Sequence, residues 1–217
     1  MGAKDPHAEH EAPRIRDMPA PRKSEGAAGG AAQRILAWPY RGILAFLLWT
    51  GIYPWQLSLL SLFLNVAVGA LIVTGDWLVA GVLLIVAGLC DVFDGSVARQ
   101  RGLESRSGAF LDSVLDRVSD TILFACLFWA LAAKGETTNA ALALATLVVS
   151  LSVSHIRAEA EAAGTQLTEG LFQRLERMLA LMVGLLIPGA MLPVLVLLST
   201  LGIVTVLQRG FAALRRA

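Results

Sequence analysis

Charged residues are scarce in this chain: only 16% of its 217 residues are Asp, Glu, Lys or Arg, whereas 56% are hydrophobic. Soluble domains carry about 25% charged residues, so this composition excludes an ordinary soluble domain and favours a membrane protein. The only two cysteines, Cys90 and Cys126, lie inside apolar runs, which excludes a disulfide framework and a cysteine-rich metal site. The net charge of +1 gives no sign of a nucleic-acid partner, and none is expected.

Large apolar residues are almost absent from residues 1–30, which are rich in Ala, Gly, Pro and charged side chains. Such a segment cannot bury enough apolar surface to fold, so we expect a disordered cytoplasmic tail. No apolar segment follows its basic residues, and a secretory signal is therefore not predicted. Residues 31–217 are predicted to form one membrane domain.

Apolar runs recur along the rest of the chain and predict an all-α integral membrane protein with six transmembrane helices. Each run is about long enough to cross a ~30 Å hydrocarbon layer at 1.5 Å per residue. The runs lie near residues 54–74, 76–97, 108–133, 138–160, 172–188 and 191–208. The preceding stretch, 34–50, is broken by Pro39 and Gly42 and carries Trp38 and Trp49, which predicts an interfacial amphipathic helix. A seventh span is the alternative.

The distribution of basic residues predicts the orientation. Of the 18 Lys and Arg residues, 17 lie in residues 1–53, 98–117, 157–177 and 209–217, which all fall on one side of six spans. The other side has only Lys134. By the positive-inside rule, both termini face the cytoplasm of a cell inner (plasma) membrane.

Four carboxylates interrupt the second and third apolar runs. Asp91 and Asp94 are three residues apart and Asp112 and Asp116 are four apart, so each pair shares one face of a helix. Both pairs are expected at the cytoplasmic end of their spans. Because carboxylates near hydrocarbon are costly and these four repel one another, the pattern predicts a site for divalent cations, which prefer oxygen ligands.

The depth of this cluster distinguishes two classes of function. A divalent-cation transporter would hold its acidic residues near the bilayer midplane, often on broken helices. Here the carboxylates lie at a cytoplasmic end, on helices without internal proline, which favours an enzyme that acts on a lipid head group with a soluble second substrate. A transporter and a purely structural acidic cluster remain as alternatives.

Small residues accompany the carboxylates. Gly95, Ala98 and Gly108 let a ligand approach the backbone closely, and Arg99 can neutralise a phosphate through charge-assisted hydrogen bonds. Small residues also serve helix packing in membranes, so their position within the carboxylate pattern is what carries the interpretation.

The complete pattern over residues 91–116, Asp-x2-Asp-Gly-x2-Ala-Arg-x8-Gly-x3-Asp-x3-Asp, resembles the signature of the CDP-alcohol phosphotransferase family. The resemblance implies a metal-dependent enzyme, a homodimer, that moves a phosphatidyl group from CDP-diacylglycerol to an alcohol and releases CMP. It implies that two Mg²⁺ or Mn²⁺ ions are held by Asp91, Asp94, Asp112 and Asp116, with Asp116 as general base. The CDP moiety would contact Asp91, Asp94, Gly95, Ala98, Arg99, Gly108 and Asp112.

Arginines on the cytoplasmic side predict an anionic acceptor, such as a phosphorylated polyol. The candidates for its phosphate are Arg117, Arg157, Arg174 and Arg177. The alternative is that these arginines flank spans for topology alone.

The sequences around these arginines resemble the phosphatidylinositol phosphate synthase branch, which implies inositol phosphate as acceptor. Asp112-Ser113, Asp116-Arg117 and residues 170–177 carry the resemblance, and His155, Glu159 and Leu175 depart from it. The alternative within the family is a phosphatidylglycerophosphate synthase, which uses glycerol 3-phosphate.

Overall fold

The computed structural model describes residues 29–164 and 174–216. Within them the chain forms seven helices: α1 (Gly29–Trp49), α2 (Pro54–Thr74), α3 (Trp77–Arg101), α4 (Arg106–Ala133), α5 (Thr137–Ala162), α6 (Arg174–Leu186) and α7 (Met191–Arg216). The all-α prediction is confirmed. The tail predicted over residues 1–30 lies outside the described residues, except that α1 begins at Gly29.

Four of the described helices are long and apolar enough to cross a membrane: α2, α3, α5 and the Met191–Ala213 part of α7. Helix α4 has 28 residues, but Asp116, Arg117 and Asp120 lie in every 18-residue stretch of it. Helix α6 has 13 described residues, fewer than the 18 that the criterion requires, and α1 is not among the candidate spans either. These four helices indicate a membrane protein.

Helices α2 to α7 form a closed ring in which each helix packs against two neighbours. The order around the ring is α2, α3, α6, α7, α5 and α4, and α4 returns to α2. Helix α1 lies outside the ring against α3. In the described part of the chain, α3 and α4 make no extensive contact with each other, so their facing side chains meet inside the ring.

Glycines bring neighbouring helices of the ring into close contact. A Cβ at Gly81 of α3 would lie 2.8 Å from the Leu186 side chain, and one at Gly202 of α7 would lie 2.5 Å from Val149 Cγ1 of α5. Lipid gives helices no hydrophobic reason to associate, so close van der Waals packing at small residues has to supply much of the attraction.

Helix α3 extends one turn beyond the predicted end at residue 97. It ends at Arg101 because Gly102 adopts a left-handed conformation with φ of 63°. The Gly102 N–H donates to the Arg99 carbonyl and the Leu103 N–H donates to the Ala98 carbonyl, which satisfies the last carbonyls of the helix. The extra turn carries Arg99 and Arg101.

Helix α7 also extends beyond its predicted end, at residue 208. The charge of Arg209 suggested the end of a span, but Arg209 is only 5% exposed and its Nη1 donates to the Val153 carbonyl of α5 at 3.1 Å. A buried carbonyl can accept a hydrogen bond from an arginine, so the charge does not end the helix.

Candidate functional site

Three of the four predicted aspartates converge inside the ring. Asp91 comes from α3, and Asp112 and Asp116 come from successive turns of α4. Each offers a carboxylate oxygen, and these oxygens all lie within 4.8 Å of one another. The spacing of four residues within α4 and the opposite directions of the two helices bring the three carboxylates to one level.

Asp94 lies one turn beyond Asp91 and is only 6% exposed. Ser58 Oγ of α2 donates a hydrogen bond to Asp94 Oδ2 at 2.6 Å. Ser58 belongs to a polar row on α2 with Ser61 and Asn65, both of which are buried. This row is absent from the predicted site residues, although three polar residues at helical spacing in an apolar run indicate it.

A positive charge lies among the carboxylates. Arg174, the first residue of α6, forms an ion pair through Nη1 with Asp91 and a second one with Asp116 Oδ1 at 3.0 Å. All three side chains are largely buried. Buried carboxylates repel one another, and the positive charge of the Arg174 guanidinium offsets part of this repulsion.

The other predicted arginines lie in different surroundings. Arg117 donates to the Ser113 carbonyl at 2.8 Å and to Ser113 Oγ at 2.6 Å. Arg157 is exposed on α5, where its Nε pairs with Glu161 at 2.8 Å. Of the four arginines, only Arg174 has an ion pair with the aspartates of the metal-ligand set in the described residues.

Arg177 is buried one turn after Arg174. Its Nη2 lies 2.8 Å from Asp120 Oδ2, and Ser150 Oγ of α5 donates to the same oxygen at 2.6 Å. The exposed fractions of Arg177 and Asp120 are 6% and 3%. Asp120 continues the carboxylate row of α4, and its charge is balanced by Arg177 one turn beyond Asp116.

Neighbouring side chains lie close to two of the predicted small residues. A Cβ at Gly95 would lie 3.3 Å from Arg99 Nη1, so Gly95 leaves room for that guanidinium. Gly108 N–H donates to the Ser105 side chain, which caps the start of α4, and a Cβ there would lie only 3.0 Å from Ser105 Oγ. Ala98, which lies between Gly95 and Gly108 in the sequence, is half-buried.

Helix α1 reaches the same region of α3. The Tyr40 hydroxyl donates to Ser96 Oγ at 2.7 Å, and Arg99 Nη2 donates to the same oxygen at 3.2 Å. Tyr40 also stacks on Phe93 with ring centroids 5.1 Å apart. Arg99 is thus an exposed residue that is held at one hydroxyl.

The cluster fits a divalent metal by its chemistry. Three carboxylates from two helices can each supply an oxygen ligand to one region, and no nitrogen or sulfur ligand takes part in the group formed by the described residues. Hard cations such as Mg²⁺ and Mn²⁺ take oxygen ligands of this kind. Asp94 lies close enough to interact electrostatically with Asp91 and Asp112, and it keeps a second carboxylate oxygen besides the one that Ser58 contacts.

Known proteins share both the sequence and the arrangement of helices. The family model described as CDP-alcohol phosphatidyltransferase matches residues 52–208. A phosphatidylinositol phosphate synthase of Corynebacterium glutamicum is 37% identical over 143 residues, which are 64% of this chain and 65% of that protein. An archaetidylinositol phosphate synthase of Pyrococcus horikoshii is 32% identical over 168 residues, which are 76% of this chain and 86% of that protein.

Solved structures of one relative superpose on most of this chain. The crystal structure of Mycobacterium tuberculosis phosphatidylinositol phosphate synthase with CDP-DAG bound has a TM-score of 0.73 and 30% identity. The match covers 79% of this chain and 92% of that one. The same enzyme in complex with manganese and citrate gives a TM-score of 0.73 over 79% of this chain and 87% of that one.

Proposed function

This chain belongs to the CDP-alcohol phosphatidyltransferase family, and on that premise we propose that it transfers a phosphatidyl group from CDP-diacylglycerol to a phosphorylated polyol in phospholipid biosynthesis. Inositol phosphate is the favoured acceptor, and CMP is the second product. The observation that carries the proposal is the convergence of Asp91, Asp112 and Asp116 with Arg174, because it combines oxygen ligands, a candidate base and a cation in one site.

Asp91, Asp94, Asp112 and Asp116 would hold two divalent cations, Mg²⁺ or Mn²⁺. Bound cations of this kind supply charge stabilisation for a diphosphate and for its leaving oxygen. The manganese complex of the Mycobacterium tuberculosis relative supports the choice of metal. Gly95, Ala98 and Gly108 would admit the CDP moiety, and the exposed Arg99 would contact it through charge-assisted hydrogen bonds.

Asp116 would act as general base. It would take the proton of the acceptor hydroxyl while that oxygen forms a bond to the phosphorus of the phosphatidyl group. The bond from this phosphorus to the bridging oxygen breaks, and CMP leaves with the electron pair. Asp116 is largely buried, which would keep bulk water from competing with the acceptor.

Arg174 would bind the phosphate of the acceptor. Its Nη1 lies 3.0 Å from Asp116, so a phosphate held by this guanidinium would bring the acceptor hydroxyls close to the base. Arg174 Nε is buried and has no partner among the described residues, which leaves a donor for an anion. Arg117 and Arg157 are proposed to serve the same phosphate directly, and Arg177 would serve it through Arg174.

The acceptor assignment rests on the relatives and on the sequence around the arginines. Two relatives are inositol phosphate lipid synthases, one phosphatidyl and one archaetidyl, which supports inositol phosphate. Glu159 is exposed near His155 on α5, at a place where that branch tends to carry arginine. Glycerol 3-phosphate, the substrate of a phosphatidylglycerophosphate synthase, is therefore the second acceptor to test.

We further propose six transmembrane spans formed by α2 to α7, with α1 as an interfacial helix. Helices α4 and α6 would span because their charged residues pair with each other, Asp116 with Arg174 and Asp120 with Arg177, which lowers the cost of placing these charges in a membrane. Both termini would face the cytoplasm of the inner membrane, where soluble phosphorylated polyols are available. Family resemblance supports a homodimer.

One assay separates these functions. The purified protein is mixed with CDP-diacylglycerol, Mg²⁺ or Mn²⁺, and a panel of inositol phosphate, glycerol 3-phosphate, inositol and glycerol, and CMP release is followed. We expect release with inositol phosphate and little with the neutral alcohols. Release with glycerol 3-phosphate alone would keep the reaction and change the acceptor. Divalent-cation flux in proteoliposomes without any CMP would instead support the transporter.

A further inference from the structure

Two ion pairs connect α4 and α6 one turn apart. Arg174 pairs with Asp116, and Arg177, three residues later, pairs with Asp120, four residues later on α4. Because residues three or four apart lie on the same face of a helix, the two pairs form adjacent steps of one ladder between these helices. Helices α4 and α6 make no extensive backbone-level contact in the described part of the chain, so side chains set their spacing here.

The two steps of the ladder differ in burial. Arg174, Asp91 and Asp116 are each between one fifth and one third exposed, whereas the Arg177 and Asp120 side chains are 7% and 5% exposed. Ser150 of α5 donates to the same Asp120 oxygen and fixes the carboxylate from a third helix. The Arg177–Asp120 pair is therefore the more rigid of the two, because separating these side chains would leave two buried charges without partners.

We propose that Asp120, Arg177 and Ser150 are positioning residues for the acceptor site: the buried Asp120–Arg177 pair fixes the register of α6 on α4 and so holds the Arg174 guanidinium beside Asp116. This inference rests on the proposed function, in which Arg174 binds the acceptor's phosphate. It gives Asp120 a role that its position outside the 91–116 pattern does not reveal, and it makes Arg177 act through Arg174.

Because Asp120 is negatively charged, a positioning role and a direct electrostatic effect predict opposite changes in the acceptor KM when it is replaced. A carboxylate cannot bind a phosphate, and removal of a negative charge close to the site should by direct electrostatics favour an anionic acceptor. If Asp120 positions Arg174, the Asp120→Asn variant should show the opposite, an acceptor KM raised about tenfold or more, as expected when one hydrogen bond to a charged group is lost. The KM for CDP-diacylglycerol should change much less. Asp120→Glu keeps the carboxylate and should raise the acceptor KM less than Asp120→Asn does.

A double variant removes the pair without leaving a buried charge. Replacing a buried ion pair by apolar residues of similar volume is often neutral or stabilising, whereas removal of one partner is strongly destabilising. We therefore expect Asp120→Leu with Arg177→Met to keep the parental thermal midpoint and still to raise the acceptor KM about tenfold. This variant keeps the proposal testable if Asp120→Asn alone does not fold.

The matched control is the buried polar pair Thr146–Ser199, whose hydroxyl oxygens lie 3.0 Å apart between α5 and α7. Replacing it by Val and Ala should leave the acceptor KM unchanged. A folded double variant at 120 and 177 with the parental acceptor KM would overturn the inference. So would a lower acceptor KM for Asp120→Asn with a higher one for Arg177→Met, because that pattern means Arg177 contacts the phosphate itself, through a guanidinium whose Nε has no partner among the described residues.

The parental enzyme separates this inference from the proposed function. If it releases CMP with inositol phosphate or glycerol 3-phosphate, the proposed function stands and the variants decide on the positioning role alone. If it accepts only neutral alcohols, the phosphate-binding role of Arg174 is wrong and the positioning role falls with it.

Discussion

The two ends of the helix ring are held together by different means. At one end, called here the turn end, the short connections at residues 75–76, 134–136 and 187–190 join α2 to α3, α4 to α5 and α6 to α7. Each contains a glycine with φ between 76° and 94° (Gly75, Gly135 and Gly189), a conformation that glycine adopts at little cost. The backbone itself fixes which helices are neighbours there.

At the opposite end, called the carboxylate end, the connection at residues 102–105 joins α3 to α4, which are not neighbours in the ring, and side chains link the helices there. Asp91 and Asp116 meet Arg174, and Asp94 meets Ser58, each pair across two helices. The turn end, by contrast, has Lys134 as its one basic residue in the described part of the chain, and Lys134 lies 4.2 Å above the Trp77 ring. Short turns between ring neighbours thus fix the turn end, whereas charged side chains link helices at the carboxylate end.

The largest difference between the ends should appear when a carboxylate loses its charge. Asp116→Asn should lower the rate of CMP release by about 10²- to 10⁴-fold, the usual contribution of a general base, while the protein stays folded in detergent. Asp91→Asn should abolish release because metal binding needs the charge, and EDTA should have the same effect on the parent, reversed by Mg²⁺ or Mn²⁺.

The control is Asp76→Asn, the same substitution on an exposed aspartate of the turn end, which should keep parental activity. Binding of CDP-diacylglycerol should be weaker in Asp91→Asn than in Asp116→Asn. Equal loss of donor binding in both variants would make Asp116 a metal ligand only, and full activity in excess EDTA would remove the metal from the mechanism.

The next largest effect should come from replacing one basic residue at each end of the ring. Arg174→Ala should raise the acceptor KM by about 10- to 150-fold, the value of one or more hydrogen bonds to a charged group, with a far smaller change in donor KM. Lys134→Ala at the turn end should leave both constants unchanged. Steady-state kinetics with each substrate varied in turn measures this. An equal rise in both KM values would place Arg174 at the metals alone.

A smaller effect should separate two serines of α2. Ser58→Ala removes the 2.6 Å hydrogen bond to Asp94, and we expect about tenfold weaker activation by Mn²⁺, since hydrogen bonds to charged groups contribute about 1.5–3 kcal/mol. Ser61 lies one turn nearer the turn end and donates to the Ala87 carbonyl, so Ser61→Ala should lower thermal stability only. Identical Mn²⁺ titrations of the two variants would show that Ser58 does not serve the site.

The same comparison shows what the sequence could predict. The sequence predicts that both carboxylate pairs meet at one level, because the helical period sets which residues share a face and the alternation of spans sets their level. Asp91, Asp112 and Asp116 do converge, whereas Asp94 lies one turn beyond Asp91. The contacts of Ser58, Ser150 and Arg174 depend on the order of helices around the ring, which periodicity in one sequence does not specify. The hydropathy pattern predicts the end of α7 at residue 208 for the same reason. The carbonyl that accepts the hydrogen bond from the buried Arg209 belongs to α5, and the pattern does not show that α5 lies beside α7.

The smallest effect on catalysis should come from the packing between α5 and α7. A Cβ at Gly202 would lie 2.5 Å from Val149 Cγ1, so Gly202→Ala forces these helices apart. Overpacking of this kind costs about 1–3 kcal/mol, and the thermal midpoint should fall while both KM values stay at the parental level. Adding Val149→Ala removes the methyl that clashes and should restore much of the midpoint. If Gly202→Ala instead raised the acceptor KM, the packing between α5 and α7 would influence the carboxylate end. The distinction between helix packing that sets stability and side chains that set substrate binding would then be wrong.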